Sequence, residues 1–239
     1  MSLARPTHGG RRIAVRATPH DFPRSGDLRP ANTALVVIDM QVDFCGKGGY
    51  VDRLGRDLAL LRAPIGPIRR VLAAARSRGF RIVHTREGYA PDLSDLQPWK
   101  RWDDPNDPIR VGDPGPLGRT LIRGEPCWDF IPELRPDPDE PVFDKAGFGA
   151  FAFTDLDRVM RDGGVENLIL MGVTTDCCVH STLREAVDRG YDCLVLEDCV
   201  GASSAARHEA ALSLVRRANG ILGAASDSAA LLEVISGRG

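Results

Sequence analysis

Short runs of apolar, β-branched residues alternate along this chain with segments whose apolar positions recur at helical spacing. Ala34 to Ile38 (ALVVI), bounded by the polar Asn32 and by Asp39, has the pattern of a strand buried on both faces. From Ala63 to Arg78 the residues Ile65, Ile68, Val71, Leu72 and Ala75 fall on one helical face, and Gly79 closes the segment. Arg81 to Thr85 (RIVHT) follows as a second strand, so strand, helix and strand form one right-handed crossover unit. Glu87 to about Pro141 is rich in Pro, Gly and Asp and holds Trp99, Trp102 and Trp128. It is too long for an idle loop and is expected to cover a site or a subunit interface. Regularity then returns. Strands are predicted at Pro141 to Asp144, Asn167 to Gly172 and Asp192 to Leu196, with a short one near Ile221. Helices are predicted at Asp155 to Arg161, Cys178 to Arg189, Ser204 to Arg217 and from Ser228 onward. This alternation predicts an α/β protein with a mainly parallel sheet covered by helices on both faces, and ligands at the carboxyl ends of its strands.

At 239 residues, with 43% hydrophobic and 27% charged residues, the chain suits one large domain, taken as 31–239. Residues 1–30 carry eight Arg or His and two acids and read as a mobile basic arm. A net charge of -2 supplies no global field for nucleic acid or an anionic membrane, so neither is expected as a partner and a small molecule is. Six cysteines without regular C-x-x-C pairing point to a reducing cytoplasm rather than a disulfide framework. The five scattered histidines give no zinc-ligand spacing, so no metal or other cofactor is expected.

Three chemistry-bearing residues fall at the same end of predicted strands: Asp39 after the first, Lys145 after the short third, and Cys178 just past NLILMG. A carboxylate directly after four apolar residues needs a cation, and Lys145 is a suitable one. Cys178 is read as opening a helix, where the helix N-terminus and a nearby ammonium would favour the thiolate and main-chain N–H groups could receive an oxyanion. Asp39 would then shuttle the proton from thiol to leaving amine. Taken singly, each residue has a plainer role: a lone Cys at a helix start packs more often than it reacts, an Asp caps a loop, and a Lys is solvated. His180, two positions on, faces away from Cys178, and Cys177 is expected to pack. CGKGG at 45–49 lacks the spacing of a phosphate loop.

Taken together, IDMQVDF at 38–44, DKAGFGAF at 144–151 and GVTTDCCV at 172–179 resemble the isochorismatase-like cysteine hydrolase superfamily from about Ala31 to the C-terminus. The resemblance implies a three-layer α/β/α fold with a Rossmann-like sheet and an Asp39, Lys145 and Cys178 triad. It also implies a cis peptide between Val173 and Thr174 and an oxyanion hole from the Thr174 and Cys178 N–H groups. Phe44 matches a pocket-wall aromatic, and Phe148, Phe151, Ala218 and Asn219 occupy positions that line the substrate in this family. A homo-oligomer, most often a tetramer, is implied as well. Four longer strings, DFCGKGGYVD (43–52), HTREGYAPDL (84–93), GDPGPLGR (112–119) and RGEPCWDFIPEL (123–134), look like the biuret and triuret hydrolases. Two positions depart from that subgroup. DKAGFG replaces DKPGKG, placing Ala146 and Phe148 where Pro and a second Lys stand, and Ala218 with Asn219 replaces a Gln before a Gly pair. Losing an amide at a polar pocket alters which substrate is accepted.

The expected function is therefore a cysteine-dependent amidohydrolase that releases ammonia from a small biuret-like ureide or carboxamide through an acyl-thioester. The alternatives are ureidoacrylate or an N-carbamoyl compound as substrate, and a non-catalytic scaffold docking through the tryptophan-rich segment. Metal-free vinyl-ether hydrolysis, in which another side chain replaces the cysteine, is disfavoured by Cys178.

Overall fold

A computed structural model of the chain describes residues 12–101, 108–217 and 219–237; Trp102 and Ala218 lie outside them. The first crossover runs from β1 (Thr33–Ile38) through four helices, α1 (Val42–Cys45), α2 (Tyr50–Arg53), α3 (Leu58–Arg62) and α4 (Ile65–Ser77), to β2 (Arg81–Glu87). The long connection holds a 3-10 turn (Pro98–Arg101), the two-residue strands β3 (Pro114–Gly115) and β4 (Gly118–Arg119), and a second 3-10 turn (Pro132–Leu134). Then follow β5 (Val142–Lys145), α5 (Leu156–Asp162), β6 (Asn167–Val173), a π-helical turn (Thr175–Val179) and α6 (His180–Asp188). The chain closes with β7 (Asp192–Gly201), α7 (Ala205–Val215), β8 (Ala224–Ser226) and α8 (Ser228–Ile235).

Six strands form one parallel sheet in the order β5-β2-β1-β6-β7-β8. β1 and β6 sit at the centre, and chain order runs outward from them in opposite directions. This is the doubly wound arrangement whose crevice opens where the order reverses. β1 is buried throughout, and its side chains alternate between two cores. Leu35 and Val37 join Ile68, Leu72 and Leu231 on one face; Ala34, Val36 and Ile38 join Met160, Leu183 and Leu212 on the other. A strand packed on both faces must be apolar at every position, which is why ALVVI carries no period-two polarity.

The segment read as a mobile basic arm differs in its described part, residues 12–30. Val15 and Phe22 are fully buried and Leu28 nearly so. Thr18 and Ala225 exchange main-chain N–H···O bonds of 2.9 and 2.8 Å, which caps the free edge of β8. Three apolar side chains spaced through a basic stretch are enough to dock it, because burying each is worth about 1.5–3 kcal/mol. Among the described residues no helix is long and apolar enough to cross a membrane. All six cysteines are free thiols.

Gly172 lets the two central strands meet at the site. It pairs with Ile38, has φ +112°, and a Cβ placed on it would lie 2.1 Å from the Ile38 carbonyl oxygen. Gly172→Ala should destabilise the protein by about 3 kcal/mol or more in urea unfolding, because neither strand backbone can yield. Gly190, at φ +87° with no atom within 4 Å of its Cβ position, is the control; Gly190→Ala should cost only about 1 kcal/mol.

Candidate active site

Four strand ends converge on the crevice. β1 delivers Asp39, β2 delivers Glu87, β5 delivers Lys145, and the π-helical turn after β6 delivers Cys178. All four side chains are buried. Asp39 takes φ +52°, a conformation that few non-glycine residues adopt and that clusters at functional sites.

Lys145 Nζ lies 2.7 Å from Asp39 Oδ2 and 3.7 Å from Glu87 Oε2, and donates to the Gly147 carbonyl at 2.9 Å. Thr85 Oγ1 donates to the other Asp39 oxygen at 2.6 Å. The Cys178 thiol donates to Glu87 Oε2 at 3.4 Å, while Glu87 Oε1 accepts from Tyr89 OH at 3.0 Å and meets Lys100 Nζ at 3.2 Å. Lys100 also bonds to the Tyr89 hydroxyl and lies 4.1 Å from the centroid of the Phe148 ring. With the thiol protonated, two carboxylates face two ammonium groups, so the buried charges balance.

The environments split the two carboxyls. Burial raises Asp39 above its ordinary 3.8 against the pull of Lys145, and the Glu87 charge adds to the rise. Burial would raise Glu87 too, but Lys145 and Lys100, with hydrogen bonds from Cys178 and Tyr89, hold it below its ordinary 4.5. Lys145 is kept charged: burial opposes its proton, yet Asp39, Cys178 and Glu87 together hold it well above the usual lysine range. Asp39 is thus the better base and Glu87 the more permanent anion.

The expectation that Cys178 opens a helix whose N-terminus favours the thiolate is corrected. Cys178 does not open a helix; it sits within the π-helical turn, and α6 begins at His180. Its hydrogen bond with Cys177, its burial and the charges of Asp39 and Glu87 raise the thiol well above 9.0, outweighing Lys145. Nucleophilic sulfur therefore requires a base at the moment of attack. The donor atoms of Asp39, Glu87 and Cys178 lie within 4.8 Å of one another, so a carboxylate is within reach of the thiol. Among the described residues the same three could in principle hold a metal ion, but the Lys145 ammonium already supplies the positive charge between the carboxylates.

The remaining candidates separate by position. Thr174 directly follows β6, joined to Val173 through a cis peptide. Phe148 lies at the rim, 37% exposed and 6.2 Å from the Trp99 ring centroid. Phe44 is buried in the core beside β1. Phe151 is buried in the same core cluster as Cys178 and stacks on Tyr191 at 5.7 Å. Asn219 does not reach the crevice. It is exposed in the turn leading from α7 into β8, at the amino ends of the strands, where the neighbouring Gly220 carbonyl accepts from Arg24. Of the tryptophan-rich segment read as a docking surface, Trp128 is buried beneath Arg86, whose guanidinium carbon is 3.7 Å from the ring centroid.

Glu87, Thr85, Tyr89 and Lys100 are the site residues that sequence reading missed. The signal for Glu87 was the rule that found Asp39, a position at the carboxyl end of a strand, but the strand was ended two residues early at Thr85. Lys100 had no signal of its own, because it reaches the site from the irregular connection.

The isochorismatase domain model matches residues 33–227. The ureidoacrylate amidohydrolase RutB of Rhizobium rhizogenes is 33% identical over 196 residues, covering 74% of this chain and 73% of that protein. A cysteine hydrolase from Pseudomonas syringae pv. phaseolicola superposes with a TM-score of 0.74 at 26% identity, over 95% of this chain and 99% of that one. N-carbamoylsarcosine amidase from Thermoplasma acidophilum gives 0.62 at 26% identity, over 82% and 96%. With its crevice at the reversal of a doubly wound sheet and this family match across most of its length, the chain belongs to the isochorismatase family.

Proposed function

We infer that the chain hydrolyses the terminal carbamoyl C–N bond of a small ureide and releases ammonia through a Cys178 thioester. The observation that carries this reading is the meeting of a buried thiol, a buried carboxyl and a buried ammonium at one crevice. Asp39 takes the thiol proton as sulfur attacks the carbonyl carbon, and the Thr174 and Cys178 N–H groups receive the oxyanion. The C–N bond breaks, the nitrogen takes the proton back from Asp39, and ammonia leaves. Water then attacks the thioester with Asp39 again as base, freeing the product as a carbamate or acid and restoring the thiol. Lys145 keeps the carboxylates and the transient thiolate paired throughout.

The relatives named for ureidoacrylate and N-carbamoylsarcosine support a carbamoyl-bearing acid as substrate beside the biuret suggested by sequence resemblance. Ammonia release from 3-ureidopropionate, biuret, triuret, nicotinamide and simple amides tests the reading. Acid-quenched protein analysed by intact mass should carry one acyl group on Cys178; release of ammonia without that adduct would exclude the thioester route.

The pH profile follows from the raised carboxyl. Asp39 must be ionised to accept the thiol proton, and burial together with the Glu87 charge moves its titration upward against the opposing pull of Lys145 and Thr85. The acid limb of kcat/KM should therefore fall at a pH clearly above 3.8, with activity lost as pH drops through it. A rate-against-pH series that stays flat down to pH 4 would be inconsistent with Asp39 as the base.

A further inference from the structure

We propose that Glu87 is a substrate-binding acceptor, which takes an N–H of the scissile carbamoyl nitrogen on Oε2 once the Cys178 proton has moved to Asp39. This rests on the thioester reading above and assigns Glu87 a role distinct from the proton shuttle.

Proximity is the first argument. Oε2 stands 3.4 Å from the Cys178 sulfur. A carbonyl carbon in attack position lies about 3–3.5 Å from the same sulfur, so a nitrogen on that carbon comes within hydrogen-bond reach of Oε2.

Accounting for the lone pairs is the second. Oε1 is filled by Tyr89 and Lys100, and Oε2 faces Lys145 at 3.7 Å together with the thiol. When the thiol gives its proton to Asp39, Oε2 loses its sulfur donor. Lys145, at 3.7 Å, is then the one group left facing that oxygen, outside hydrogen-bond reach, and the substrate N–H restores the missing bond at the moment of attack. The vacancy thus opens in step with the chemistry.

Charge is the third. Two ammonium groups and a phenol surround Glu87, an arrangement that suits a fixed acceptor and disfavours a proton carrier. Glu87 keeps its charge through the cycle: the thiol proton passes to Asp39 and then to the departing nitrogen, and no proton stops at Glu87. The site accordingly prefers carbonyls with an N–H on the scissile side over esters of similar size.

The test compares two reactions of Cys178 in one protein: ammonia release from 3-ureidopropionate, which offers N–H donors, and hydrolysis of p-nitrophenyl acetate, which offers none. The ratio of their kcat/KM values should fall about a hundredfold in Glu87→Gln, the loss of roughly one charged hydrogen bond. General loss of fold or of thiol reactivity would lower both rates and leave the ratio standing. The acid limb set by Asp39 should persist in this variant.

Glu87→Asp, which keeps the charge but withdraws the acceptor by one methylene, should lower the ratio about tenfold and serves if the Gln variant fails to fold. A ratio within about threefold of wild type in a folded variant overturns the proposal, as does disappearance of the acid limb, which would make Glu87 the base. Wild-type protein that cleaves the ester yet releases no ammonia from any ureide or amide would overturn the underlying reading and this proposal with it. Ureide turnover with an unmoved ratio overturns only the role of Glu87.

Discussion

Cys178→Ala protein should release no measurable ammonia from any ureide, a loss of about ten-thousandfold or more, while unfolding close to the wild-type midpoint. The magnitude follows from the chemistry: without sulfur there is no covalent intermediate, and the remaining site offers only binding and an oxyanion hole. The small effect on stability follows from the geometry. Removing one buried sulfur leaves Asp39 with Lys145 and Thr85, and Glu87 with Lys145, Lys100 and Tyr89, so no buried charge loses its main partner. Steady-state ammonia assays beside thermal melts check both halves. An alanine variant within tenfold of wild-type rate would exclude the thioester route, whereas an inactive variant that has also unfolded would leave the assignment to the mass of the trapped wild-type adduct.

Lys145→Met should damage the fold and the reaction together. Methionine matches the length of lysine, but it leaves Asp39 and Glu87 as two buried carboxylates with one ammonium, Lys100, touching only the second. Breaking a buried pair by removing one partner costs about 3–5 kcal/mol, which for a chain of this size lowers the melting temperature by roughly 10 °C. Activity should fall about a thousandfold, because the transient thiolate loses its nearest cation. The stability loss has a pH signature. With Lys145 gone both carboxyls shift upward, so the variant should recover stability as pH falls and its carboxyls protonate. Thermal melts from pH 8 to pH 5 measure this; a deficit that stays constant across the range would mean that the lost stability comes from packing rather than charge.

The layered fold was readable because the central strands are buried on both faces and so appear as unbroken apolar runs. β1, β6 and the start of β7 follow that rule. The same rule misplaced strand ends wherever charged residues continue the ladder. β2 runs on through Arg86 and Glu87, and β7 through Glu197 and Asp198, because each of these side chains finds its own partner: Asp144, the site cluster, Arg216 and Ser228. The strand expected near Ile221 lies at Ala224–Ser226, where two alanines and a serine give no β-branched signal.

At the site, the meeting of Asp39, Lys145 and Cys178 in one crevice was legible from strand ends and motif spacing. The upward push on the Cys178 thiol was not, since it comes from Cys177 in the π-helical turn, from burial and from carboxylates delivered by other strands. Asn219 shows the limit of carrying residue roles from motif position alone. It sits in the turn between α7 and β8, at the amino ends of the parallel strands.

The strap of residues before β1 sets where the folding unit begins. The family match starts at residue 33, yet Phe22 is fully buried and Thr18 closes the ladder at β8. An uncovered edge strand is a template for pairing with another chain. The span matched by the family model is therefore smaller than the packed unit, and the residues that protect β8 from intermolecular strand addition precede the first residue it matches.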